Sequence, residues 1–218
     1  ATTATIVENI ESKYIKTVIL DSTSNVSSIG ENAFENESNI IKVVLPDTIK
    51  YIKSNAFYNC DSLKYVEIPY SVNTVGNYAF QSCDKLNTVV WNSPTASLSH
   101  STSSGNQPFK GCNSLRTFVF GDSVRSVPYR ALYDSDSLHT VILGNNVDTI
   151  GDEAFRNCYN LRNIDFANAT NLRAIGYQTF YDCYNLRNID FVNATNLTTI
   201  GNNAFYDNLK DVIINQLR

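Results

Sequence analysis

The stretch LKYVEIPYSVNTVGNYAFQSCDKL (63–86) begins and ends on leucine and carries between them an alternating apolar run, a proline and a glycine turn leading to the pair Ala79-Phe80. Aligned on that pair, the chain yields IGENAF (29–34), IKSNAF (52–57), VGNYAF (75–80), VPYRAL (127–132), IGDEAF (150–155), IGYQTF (175–180) and IGNNAF (200–205), with a degenerate eighth copy, SGNQPF (104–109). The anchors Phe34, Phe57, Phe80, Phe109, Leu132, Phe155, Phe180 and Phe205 are spaced by 23, 23, 29, 23, 23, 25 and 25 residues. A period of this size marks a supersecondary turn that cannot bury its apolar edge alone, so neighbouring turns must stack.

A second landmark keeps the same phase. An LxxVxI pattern recurs as Ile15-Val18-Leu20, Ile40-Val43-Leu45, Leu63-Val66-Ile68, Leu86-Val89-Trp91, Leu115-Phe118-Phe120, Leu138-Val141-Leu143, Leu161-Ile164-Phe166, Leu186-Ile189-Phe191 and Leu209-Val212-Ile214. Successive strand side chains point to opposite faces, so the last two apolar positions bury and the residue between them faces outward. The pattern predicts nine short strands, which at the usual strand spacing of about 4.8 Å would span roughly 40 Å. A glycine recurs four residues before the anchor (Gly30, Gly76, Gly105, Gly151, Gly176, Gly201), which predicts either a positive φ or a close backbone approach there.

The unit LxxVxIPxSVxxIGxxAFxxCxxL resembles a leucine-rich repeat of the BspA-like family, found in surface proteins of gut and oral bacteria and of some parasitic protists. The resemblance covers residues 15–214, and its departures are local: Lys53 and Pro128 replace the glycine, Leu132 replaces a phenylalanine, and the last repeat lacks the CxxL spacing. It implies an α/β-type repeat solenoid, an arc with a concave parallel β-sheet of about nine short strands and irregular or short helical convex turns. The chain is expected to be one solenoid over 1–218, with 1–14 as its N-terminal edge, 15–214 as repeats and 92–107 as a Ser/Thr-rich loop insertion.

Composition narrows the function. With 218 residues and 43% hydrophobic content the chain can bury a core, while a net charge of −4 and a pI of 5.1 argue against nucleic acid and anionic membrane as partners. No apolar run approaches the roughly 20 residues of a membrane span. The sequence contains no Met and opens without a signal peptide, which reads as a processed protein or an excised segment. The last turn breaks off at INQLR with Ile213 on the outer face and no polar cap, which suggests a piece of a longer protein or end-to-end self-association.

All five cysteines, Cys60, Cys83, Cys112, Cys158 and Cys183, stand three residues after an anchor, where Glu37, Ser135 and Asn208 stand in other turns. One repeat position therefore owns every thiol. Metal binding would want CxxC or Cys/His spacings, which do not occur, and an odd total with parallel, inward side chains disfavours a disulfide framework. The reading is buried, reduced, space-filling thiols. His100, in a Ser/Thr-rich stretch, and His139, on a strand flank, lack the spacing of a catalytic triad. The chain is read as non-enzymatic, with no cofactor and no metal.

The outward strand column reads Ile19, Val44, Glu67, Val90, Val119, Ile142, Asp165, Asp190 and Ile213, and its companion reads Thr17, Lys42, Tyr65, Thr88, Thr117, Thr140, Asn163, Asn188 and Asp211. A flank of Lys16, Lys64, Arg116, His139, Arg162, Arg187 and Lys210 runs beside them. Arg162 and Arg187 could pair with Asp165 and Asp190, an exposed contact of about 0–1 kcal/mol. The set is either a solvated charged face or a recognition patch for a protein or glycan, with Tyr65, Glu67, Arg162, Asn163, Asp165, Arg187, Asn188 and Asp190 as candidate ligand-binding residues. Tyrosines follow the anchor (Tyr58, Tyr133, Tyr181, Tyr206) or the cysteine (Tyr159, Tyr184), suiting either an interface or turn-to-turn stacking. The family resemblance implies a binding module on the extracellular face of a microbial cell or in a secreted protein, in adhesion to host proteins, cells or glycans. The alternative is a spacer or stalk displaying other domains.

Overall fold

A computed structural model describes residues 4–6, 16–20, 23, 25–94, 97–98, 107–187 and 189–208. The chain divides into two compact units, Ala1–Leu115 and Arg116–Arg218.

In the first unit the strands are β1 (Ala4–Ile6), β2 (Thr17–Ile19), β3 (Val26–Ile29), β4 (Lys42–Val44), β5 (Tyr51–Ile52), β6 (Tyr65–Ile68), β7 (Thr74–Val75), β8 (Thr88–Trp91) and β9 (Ser97–Leu98). The even-numbered strands pair in parallel, with Val66 opposite Val89 and Ile68 opposite Trp91. The odd-numbered strands form a second parallel sheet, with Ile29 opposite Ile52 and Ile52 opposite Val75. The second unit repeats the plan with β10 (Thr117–Phe120), β11 (Ser126–Val127), β12 (Thr140–Leu143), β13 (Thr149–Ile150), β14 (Asn163–Asp165), β15 (Ala174–Ile175) and β16 (Thr199–Ile200). There β10, β12 and β14 make one parallel ladder, and β11, β13, β15 and β16 the other. Each unit is a parallel β-solenoid of the leucine-rich repeat type.

Two expectations need correction. Seven LxxVxI segments form strands, not nine. At 186–191 the pattern residues Leu186, Ile189 and Phe191 are buried, but residues 189 and 190 carry no strand ladder, and Asn188 lies outside the described residues. This segment has a described neighbour on one side alone, because the ninth, 209–214, lies outside them too. The uncapped last turn and Ile213 fall in the same undescribed range. Each turn also contributes a second, two- to four-residue strand that the apolar triplets did not reveal.

The convex turns are not helical: no helix occurs among the described residues. The reason is visible in the backbone. Around seven of the eight anchors the residues two before and two after hold positive φ, as at Asn55 (55°) and Asn59 (57°) around Phe57, or Glu153 (54°) and Asn157 (61°) around Phe155. A right-handed helix cannot contain such residues. The alternate N–H groups of Asn55, Phe57 and Asn59 donate to Asn77, Ala79 and Gln81 of the next turn (3.0, 2.7 and 3.0 Å), while those between them bond three residues back. Asn and Asp tolerate this conformation, which explains why Asn36, Asn59, Asp134, Asn157, Asp182 and Asp207 share one column.

The core is a set of columns. The anchor rings stack face to face, Phe34 on Phe57 on Phe80 on Phe109 in the first unit (5.1, 5.1 and 5.4 Å between centroids) and Phe155 on Phe180 on Phe205 in the second (5.4 and 5.2 Å). That spacing is close to the strand repeat, so ladder and stack reinforce each other.

Candidate functional site

On the second unit, the parallel register sets Asn163 beside Thr140 and Asp165 beside Ile142. The N–H of Arg162 donates to the carbonyl of His139 (2.9 Å) and that of Arg187 to the carbonyl of Arg162 (3.1 Å), which places these side chains on successive rungs of one column. Arg162, Asn163, Asn185 and Arg187 line an open cavity of about 370 Å³. Three of the four belong to the residues singled out by the repeat pattern. Asn185 does not, although its place two residues after Cys183 in CYNL copies that of Asn160, and both amides bond a carbonyl of the preceding turn: Asn160 Nδ2 to Asp136 O at 2.8 Å, Asn185 Nδ2 to Tyr159 O at 2.7 Å.

The cations of the flank are not equivalent. Arg116 Nη1 donates to Ser137 O (2.8 Å), and His139 Nδ1 lies 2.8 Å from the same carbonyl, so both are tied to backbone. The guanidiniums of Arg162 and Arg187 have no hydrogen bond or ion pair among the described residues. The suggested pairs with Asp165 and Asp190 do not form. Asp165 Oδ1 accepts the N–H of Ala167 (2.8 Å) and Asp190 Oδ1 that of Val192 (2.9 Å), closing the turn after each segment. Three residues of extended chain span about 10 Å, which keeps Arg162 from Asp165. The ion pairs among the described residues lie instead on the turns, Arg130 to Glu153 at 2.8 Å and Arg156 to Glu153 at 3.6 Å.

The other candidates, Tyr65 and Glu67, form a separate cluster in the first unit. Tyr65 OH donates to Glu67 Oε2 (3.1 Å) and Asn92 Nδ2 to Glu67 Oε1 (2.7 Å). Partial burial and the Glu67 carboxylate push the Tyr65 phenol up. Of the inserted stretch 92–107, Ser93 caps Val72 O (2.6 Å) and β9 pairs with β7, so this described part extends the sheet. Residues 95–96 and 99–106, with His100, lie outside the described residues.

Four of the tyrosines that follow anchors and cysteines stack in pairs, Tyr159 on Tyr184 at 5.4 Å and Tyr181 on Tyr206 at 4.9 Å, while Tyr133 lies under the Arg130 guanidinium at 4.9 Å. The cysteines are free and buried, and each donates its thiol to the carbonyl of the preceding turn's anchor. The five bonds are Cys60 to Phe34 (3.2 Å), Cys83 to Phe57 (3.2 Å), Cys112 to Phe80 (3.1 Å), Cys158 to Leu132 (3.1 Å) and Cys183 to Phe155 (3.1 Å). Sequence reasoning found the burial but not this bond. No group of three or more His, Cys, Asp or Glu placed to hold a metal occurs among the described residues.

Burial pushes the Cys60 thiol from about 9 up to about 12 and raises Cys158 and Cys183 too, while Cys83 is raised first by its contact with the Cys112 thiol and then by burial. A thiol whose folded value is raised stabilises the fold fully below its unfolded value, and that stability is lost as pH rises toward the folded value. Unfolding free energy is therefore expected to fall above pH 9, with Cys60 contributing about 1.4 kcal/mol per pH unit. Denaturant unfolding of wild type and Cys60→Ala across that range should diverge by this slope; parallel curves would refute it.

A family model for the BspA type leucine rich repeat region, in six copies, matches residues 10–104 and 95–212. No curated protein matches the sequence. Among solved structures, a leucine-rich repeat protein from Eubacterium ventriosum matches at a TM-score of 0.59 and 20% identity, over 88% of this chain and 43% of that one. The chain thus spans less than half of that protein, and the likeness shows the fold. A leucine rich repeat protein of T. pallidum matches at a TM-score of 0.48 and 21% identity, over 79% of this chain and 78% of the other.

Proposed function

The chain belongs to the BspA-type leucine-rich repeat family, and from that premise we propose that it is a non-enzymatic binding module of a microbial surface or secreted protein, recognising a host protein or glycan through the outer face of its longer strands. The family is typically surface-exposed or secreted and the fold typically non-enzymatic, which suits a protein-binding or structural module. No helix among the described residues is long and apolar enough to cross a membrane. The observation that carries the binding reading is the cavity of Arg162, Asn163, Asn185 and Arg187, whose two guanidiniums find no partner within the described chain. Unpaired Arg forks that line one cavity are recognition groups.

The continuous ring stacks and inter-turn ladders also suit a stiff spacer. The two readings separate when Tyr65→Ala with Glu67→Ala, and Asn163→Ala with Arg187→Ala, are compared with wild type for binding to immobilised host cells and extracellular matrix. The binding module predicts a loss of about tenfold or more in one of these pairs with an unchanged melting temperature. Undiminished binding by both pairs, with function of the parent protein intact, would establish the spacer instead.

A further inference from the structure

We infer that the cavity of Arg162, Asn163, Asn185 and Arg187 holds the anionic group of an acidic sugar, a carboxylate or sulfate carried on one or two residues of a glycan. This rests on the binding-module reading and specifies its ligand. Two guanidiniums sit on rungs joined by the Arg187 N–H to Arg162 O bond of 3.1 Å. Both line one cavity, and neither is paired with a carboxylate among the described residues: Asp165 and Asp190, of the adjacent outward column, are turned onto the N–H groups of Ala167 and Val192. The planar fork of each Arg matches a carboxylate or sulfate, and two forks a rung apart bracket a single such group.

The rest of the lining favours a sugar over an acidic peptide. The Asn163 amide carries both donors and an acceptor. Asn185 spends its Nδ2 on Tyr159 O and leaves its Oδ1 as an acceptor. Neighbouring hydroxyls, which donate and accept, answer such a mixed set, whereas the carboxylates of an acidic peptide would answer donors alone. A cavity of about 370 Å³ lies at the small end of ligand pockets and suits one or two rings. The net charge of −4 supplies no long-range pull on a polyanion, so recognition is local and short.

Titration calorimetry of the 218-residue chain with digalacturonate, a sulfated lactose, lactose, acetate, sulfate and a tetra-aspartate peptide tests this. One or both acidic sugars should bind, with lactose at least about tenfold weaker, and binding should weaken as salt rises. Arg187→Gln should weaken it about tenfold or more, Arg162→Gln with Arg187→Gln should abolish it, and Arg187→Lys, which keeps the charge but loses the fork, should fall between. The sugar that binds tells carboxylate from sulfate. Equal binding of lactose, tighter binding of the peptide, or acetate or sulfate binding as well as the sugars overturns the inference, as does unchanged binding by the double variant at an unchanged melting temperature. If no acidic sugar binds while the face variants still abolish capture of host cells or matrix, this inference falls and the binding-module reading stands.

Discussion

Phe57→Ala is expected to lower the unfolding free energy by about 3–5 kcal/mol, the range for emptying a buried aromatic site. Phe57 is fully buried and sandwiched between Phe34 and Phe80, each ring 5.1 Å away and within 8° of parallel. Its truncation leaves a cavity bounded above and below by rungs that backbone ladders hold at a set distance, so collapse cannot close it. Phe205 provides the control. It stacks on Phe180 at 5.2 Å, meets Phe191 edge-on at 6.3 Å and is half-buried, so Phe205→Ala should cost clearly less. Urea unfolding of both variants, with m-values checked for loss of cooperativity, decides this; a cost below about 1.5 kcal/mol for Phe57→Ala, or equal costs at both sites, would show that the stack is not the spine of the fold.

Gly76→Ala should destabilise by about 2–3 kcal/mol. A methyl there would lie 2.6 Å from Ser54 N and 2.7 Å from Lys53 C, both backbone atoms of the preceding turn. The Gly76 N–H bond to Ile52 O, 2.8 Å long, prevents the turn from lifting away. Gly76 is not among the positive-φ residues, so contact alone sets the penalty, and it must exceed the roughly 0.4–1 kcal/mol that Gly→Ala otherwise gains by restricting the unfolded chain. Gly111 is the contrast, with φ at 72° and a Cβ that would meet nothing nearer than Ser82 Oγ at 3.3 Å. Since the same column holds Asn and Asp in other turns, Gly111→Asn should change stability by less than about 1 kcal/mol. Thermal and urea melts of the two variants test the pair, and stabilisation by Gly76→Ala would refute the close-approach account.

The glycine result shows where reading along the chain stopped short. A recurring glycine permitted two explanations, left-handed backbone or tight packing, and nothing local distinguishes them. The left-handed positions turn out to be two other columns, at fixed distances from the anchors: the one after the anchor is mostly Asn and Asp, while the one before it mixes Asn with Tyr78, Arg130, Glu153 and Gln178, so neither stands out in the sequence. The second sheet escaped for a similar reason: segments such as Thr74–Val75 and Thr149–Ile150 are two residues long, too short for an alternating pattern to show.

The site was partly legible. The strand columns and their flank singled out Arg162, Asn163 and Arg187, and the register of β14 on β12 agrees for Asn163. That Asp165 and Asp190 would serve turns and leave the arginines unpaired was not legible, because it depends on which N–H group lies nearest once the strand ends. Tyr65 and Glu67 sit in the other unit, joined through Asn92, a partner 25 residues from Glu67.

Period, core columns, thiol burial and the outward face all follow from spacing, because a strand's pleat and a 23-residue repeat carry each side chain to the same side of every turn. Stacking decided the rest: left-handed turns in place of helices, the second strand of each turn, thiol-to-carbonyl bonds, and which charges remain free. These depend on hydrogen-bond partners one turn away, and a partner 21 to 32 residues distant becomes specific only after the turns have closed on one another.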